Sequence, residues 1–149
     1  MNFWRKLRSL RPAGRRILLQ ATCALPLVAL GLRLFGFARV YAALGRWTGQ
    51  PQPPTDRLRR VKNTRHLIRY LAKHGPYQGN CLSQSLVLWW LLRRRGIEVD
   101  LRFGVRTEAG QLQAHAWVEY QGQPLNPPDH VRQYVPFDQA IVPEGARFQ

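Results

Sequence analysis

Apolar positions follow a helical period along the first part of the chain and a two-residue period after about residue 98. Residues 17–38 are predominantly apolar, interrupted by Gln20, Pro26 and Arg33. They predict one or two short amphipathic helices, buried or lying on a surface, with a break near Pro26 or Gly36. The turn-rich run GQPQPP at 49–54 reads as a linker. Beyond it, Leu58, Val61, Ile68 and Leu71 recur at helical spacing with arginines on the other side. They predict a helix from a Thr55 cap to about Lys73, ended by Gly75 and Pro76. Asn80 is a good N-cap for the next helix, which runs from Cys81 to about Arg95 and stops at Gly96. Its middle, LVLWWLL, is apolar on nearly every side, as in a central buried helix. Trp89 and Trp90 therefore belong to the core, and Arg93, Arg94 and Arg95 form a solvated helix end favoured by the dipole.

The period then changes. Val99, Leu101, Phe103 and Val105 alternate with Asp100, Arg102, Gly104 and Arg106, which predicts a half-buried strand. A turn at 108–110 leads to a second strand at 114–120, a hairpin turn at Gln121-Gly122 and a short third strand at 124–126. Helices followed by an antiparallel sheet give an α+β fold. The length suits one domain with a small addition: a basic, Leu-rich helical extension over 1–50 and a core over 51–149.

Charge narrows the partners. The chain carries a net +15, and Asp56 is the only acid between Arg5 and Lys73. Such a field favours nucleic acid, anionic lipid or an acidic peptide, or it does no more than solvate the surface. No helix-turn-helix or finger pattern accompanies it, so no nucleic acid is expected. A clean spanning helix needs about 20 mostly apolar residues, and the interruptions in 17–38 argue against one. The expected location is cytoplasmic, with association at the inner membrane surface left open. Two cysteines, Cys23 and Cys81, are too few for a disulfide scaffold. Four scattered histidines make no zinc signature, and no phosphate-binding loop is present. No metal or cofactor is expected.

The chemistry centres on Cys81, at the first turn of the buried helix and just after a glycine-containing loop. Free amides and the helix dipole there stabilise a thiolate and the oxyanion of acyl transfer. The alternative is a small buried residue at a helix start. His115 opens a stretch that sets His115, Trp117 and Glu119 on one strand face and Ala116, Val118 and Tyr120 on the other. At a sheet edge packed on the helix it can serve as base toward the thiol and then as acid toward the leaving amine. A third group should orient the imidazole. Asn126 falls on the His115 face after the hairpin, and Asp129 comes next in a Pro-Pro-Asp loop. A carboxylate better stabilises imidazolium, which favours Asp129 over Asn126. Cys23, in the Leu-rich extension, behaves as a small hydrophobe.

The stretches CLSQSLVLWWLLRRRGIEVDLRFGVR and AHAWVEYQGQPLN resemble the leader peptidases of lasso-peptide biosynthesis. These are transglutaminase-like (papain-like) cysteine peptidases of the kind found at the C-terminus of the microcin-processing B protein. The close match covers about 61–137, and the basic N-terminal region resembles the extension of free-standing forms. The resemblance implies Cys81 as nucleophile and His115 as base. It also implies an aspartate soon after the last strand, where this chain reads LNPPDHV, with Pro127 in the acid's place. The implied partners are a lasso precursor peptide, a separate leader-recognition protein, and an ATP-dependent macrolactam-forming cyclase acting after cleavage. Two other readings stand beside it: another transglutaminase-like amidase or acyl-transfer enzyme, and a non-catalytic basic binding protein.

Overall fold

The protein is described from a computed structural model, over residues 5, 8–47, 56–77, 79–108, 110–125 and 133–136. Helix α1 spans Pro12–Phe35, α2 Phe37–Gly45, α3 Arg57–His74 and α4 Cys81–Arg93. The strands are β1 (Asp100–Glu108), β2 (Gln111–Tyr120), β3 (Gln123–Pro124) and β4 (Val135–Pro136).

The apolar run near the N-terminus forms one long helix. It starts with a proline in its first turn, where the missing N–H costs no hydrogen bond. It continues through Pro26, which is exposed, and breaks only at Gly36 (φ 77°). Of the two alternative positions expected for a break, Gly36 is the one that the chain uses. Ile17, Leu18, Ala21, Leu25 and Val28 are buried, and α1 packs by this stripe against α3 and α4 in the same core.

Helix α3 is capped by Asp56 at φ 80°, with no side-chain cap bond; Thr55, expected in that role, lies outside the described residues. Val61, Thr64, Leu67, Ile68 and Leu71 are buried. Leu58, expected among them, is exposed. At about 100° per residue it sits to one side of that stripe, in the first turn.

Helix α4 is the centre of the molecule, touching α1, α2 and α3 as well as β1 and β2. Nine of its side chains are buried, from Leu82 to Leu92, which explains a sequence with almost no polar face. It ends at Arg93, two residues short of expectation, where Gly96 N–H bonds Arg93 O and Ile97 N–H bonds Leu92 O. Trp89 is buried and Trp90 half-buried, with Arg93 and Arg94 lying over their rings at 5.4 and 5.1 Å. Arg95 is not a solvated end. Its guanidinium turns inward to donate to Leu91 O at 2.6 Å and Gln20 Oε1 at 3.5 Å. Burial there lowers its pKa from the usual arginine value, with Arg94 and Arg60 adding repulsion.

The sheet is antiparallel in the order β3-β2-β1-β4. The β1–β2 register pairs Phe103 with Ala116, Gly104 with His115 and Arg102 with Trp117. Cross-strand partners share a face. Leu101, Phe103, Ala116, Val118 and Tyr120 therefore face the helical core, and Arg102, Gly104, Arg106, Gln113, His115, Trp117 and Glu119 face away. Gln121 (φ 51°) and Gly122 (φ 74°) make the two-residue hairpin turn, with both central φ positive as in type I′. The third strand is shorter than expected, although Leu125 N–H continues it with a 2.8 Å bond to Val118 O. The outer strand β4 had no sequence signal.

Candidate active site

The turn before α4 is built from its own side chains. Asn80 Oδ1 accepts from Ser83 N–H at 2.9 Å, and Ser83 Oγ donates to Asn80 O at 3.0 Å. Gln84 Nε2 donates to Gly79 O at 3.0 Å. Gly79 holds φ 59°, and a Cβ there would lie 2.7 Å from Ser83 Oγ, so only glycine fits this turn without strain. Cys81 is the first helical residue, half-buried and with a free thiol. Amides in a first helical turn have no acceptor inside their own helix and lie at the positive end of its dipole.

One turn into α4, Ser85 is buried, and its hydroxyl donates to Ala116 O at 2.8 Å. The direction of that carbonyl matters. Val118 O points toward β3, where it accepts from Leu125, and carbonyls two residues apart on a strand point the same way. Ala116 O therefore points to the β3 side of β2. The described part of β3 pairs with Glu119 and Tyr120, and Ser85 donates from α4 to this same edge of β2. The Cys81 end of α4 is pinned beside the β2 edge, one residue from His115.

His115 leaves β2 on the face away from the helical core. It is half-buried, with Nε2 shielded from solvent. Its ring stacks near Trp117 at 6.5 Å and 15°, and meets Tyr134 at 5.1 Å and 31°. Trp117 is buried, and its Nε1 donates to Glu119 Oε1 at 2.9 Å; Glu119 Oε2 pairs with Arg102 Nε at 3.2 Å. On the far side, Arg106 lies 5.1 Å over the Tyr134 ring and donates to Gln113 Oε1 at 3.0 Å and to Gln133 Oε1. Gly104 makes this packing possible. A Cβ there would stand 2.8 Å from both the Trp117 indole and Val135 O.

The structure thus places Cys81 and His115 on neighbouring elements joined by the Ser85 bond. Asn126 and Asp129, the two expected orienting residues, lie outside the described residues. Cys23 is exposed on α1 with a free thiol, so it does not pack as a small hydrophobe. Among the described residues no group of three His, Cys, Asp or Glu side chains gathers for a metal. Sequence reasoning missed Ser85 and Tyr134. Ser85 shares a helix face with Cys81 at i+4, but nothing in the sequence shows that it meets Ala116. Tyr134 adjoins a two-residue strand with no periodicity to reveal it.

A family model described as the transglutaminase-like superfamily matches residues 24–139. Searches of curated proteins and of solved structures found no match.

Proposed function

The chain belongs to the transglutaminase-like superfamily, which includes cysteine peptidases and acyl-transferases. From that premise we propose that it is a cysteine peptidase that removes the leader from a ribosomally made lasso-peptide precursor. The observation that carries the chemistry is a free thiol in the first turn of α4, tied through Ser85 to the strand edge next to His115. The imidazole and α4 lie on opposite faces of β2, so the proposed proton transfer requires thiol and ring to approach each other around that strand edge, at the helix start.

In the proposed reaction His115 takes the Cys81 proton, and Sγ attacks the scissile carbonyl carbon. First-turn amides of α4 stabilise the oxyanion. The C–N bond then breaks, the imidazolium gives its proton to the leaving amine, and a thioester remains on Cys81. Water activated by His115 hydrolyses that thioester and restores the thiol. Asp129, or Asn126, orients the imidazole. The pathway assignment rests on the CLSQSL and AHAWVE stretches. It brings a separate leader-recognition protein and, after cleavage, an ATP-dependent macrolactam-forming cyclase.

The test is mass spectrometry of a lasso precursor incubated with this chain and its recognition protein. Leader and core peptide should appear with the wild type. Cys81→Ala should give neither, with an unchanged far-ultraviolet circular dichroism spectrum. Full cleavage by Cys81→Ala sinks the proposal. Thiol-dependent turnover of other amides, with the precursor left intact, keeps the chemistry and moves the protein to another acyl-transfer role.

A further inference from the structure

Helix α1 carries a second apolar face that the core does not use. Leu19, Leu27, Leu30 and Leu34 are 46, 67, 54 and 64% exposed. At about 100° per residue they fall within one narrow sector, diametrically opposite the buried stripe of Leu18, Ala21, Leu25 and Val28. Cys23 and Pro26 complete the exposed row. At about 1.5 Å per residue it runs for about 22 Å along the helix.

Charge frames this row. Arg15 and Arg33, both exposed, stand on the same edge of it, about five turns apart. Arg11 and Arg16 lie at its beginning, and Arg39 comes after it in α2, also exposed. Neither α1 nor α2 contains an acid. The segment is long and apolar enough, by length and composition, to cross a bilayer. Crossing would strip Leu18, Ala21 and Leu25 from the core, where each is fully buried.

We propose that α1 docks this protein onto an anionic phospholipid surface, with the helix lying in the interfacial plane. The leucine row enters the headgroup–acyl boundary, and the arginines at its ends and edge meet lipid phosphates. The folded core stays in water, attached to the opposite side of the same helix. An acidic protein partner would answer the charge as well. The row itself favours lipid: its exposed side chains offer leucine, a thiol and proline, with none of the hydrogen-bonding groups that a protein interface of this size ordinarily uses. The inference is independent of the acyl chemistry assigned to Cys81.

Vesicle co-sedimentation of the full chain tests it. Vesicles of phosphatidylcholine alone are compared with vesicles that also contain phosphatidylglycerol. Binding to the anionic vesicles should be at least about tenfold tighter and should weaken with salt. Leu27→Gln/Leu30→Gln/Leu34→Gln should lower it about tenfold or more with the thermal unfolding midpoint unchanged, because these side chains are exposed. Arg15→Gln/Arg33→Gln should lower it several-fold and flatten its salt dependence. Should the triple variant fold poorly, Leu30→Gln alone gives the same test with a smaller loss. Equal binding to both vesicle types overturns the proposal. So does undiminished binding by the leucine variants, which would make the attraction one of charge alone. A row that is instead occupied by a second copy of the chain or by the recognition protein, seen as a stable complex lost in the leucine variant while wild type ignores vesicles, overturns it too.

Discussion

At the residue scale, two thiols differ in surroundings and in expected reactivity. Cys23 is exposed, whereas Cys81 is half-buried at a helix start. Access alone would make Cys23 the faster to alkylate. The nucleophile's role proposed for Cys81 predicts the opposite order. Under limiting iodoacetamide, peptide mapping should find Cys81 modified first, and Cys23→Ala should leave turnover within a few-fold of wild type. Preferential modification of Cys23 would argue against an activated nucleophile. Ser85 offers a second reading of the same site. Ser85→Ala leaves the buried Ala116 carbonyl without this donor, a loss of about 1–3 kcal/mol. It also loosens the Cys81 end of α4 from the His115 edge. Turnover should fall by more than the lost stability explains at a temperature where both proteins are fully folded; equal turnover there would make Ser85 purely structural. The positions of Cys81 and His115 in their elements were legible because each has a local signature, a capped helix start and a place in an alternating strand. Ser85 and Tyr134 were not, because what singles them out is the element each meets across the fold.

At the scale of elements, α1 is the informative case. Its composition reads as an extension, and the GQPQPP run separates it in sequence from α3 and α4. In space it shares the core of those two helices, and the superfamily match begins inside it, at residue 24. Leu25→Ala should therefore cost about 2–5 kcal/mol, as core truncations do, measured by urea denaturation of the full chain. A cost near zero would make α1 an appended helix. The stripes of α3 and α4 were readable because burial there obeys the helical period. Leu58 and Arg95 departed from expectation for different reasons. Leu58 lies to one side of the buried stripe in the first turn of α3, whereas Arg95 lies past the end of α4, where Gln20 of α1 draws it inward.

For the whole molecule, the net charge of +15 bears on partners. Under the proposed function, the recognition protein would hold a leader so that its scissile bond meets Cys81, and positioning of this kind is worth orders of magnitude in rate. Cleavage should be strongly stimulated by that protein. Raising salt should reduce the stimulation more than the basal rate, because arginine-rich surfaces such as the exposed side of α3 attract acidic partners through screened interactions. Turnover measured with and without the partner across a salt series decides this. Efficient leader-dependent cleavage by the chain alone would reject the division of labour. Stimulation that ignores salt would keep the partner and reject the charge-based contact.

The sequence by itself determined the two periods, the capped start of α4, the hairpin at Gln121-Gly122 and the face alternation of β2. Each is a property of neighbouring residues, written in side-chain spacing or backbone preference. Only the tertiary structure decided that α1 is one helix with a buried side and an exposed apolar side, that Arg95 turns inward to Gln20, and that Ser85 ties the helix start to Ala116. These depend on residues far apart in the chain, and no local periodicity encodes which of two apolar faces a helix will bury or which hydroxyl will meet a strand edge.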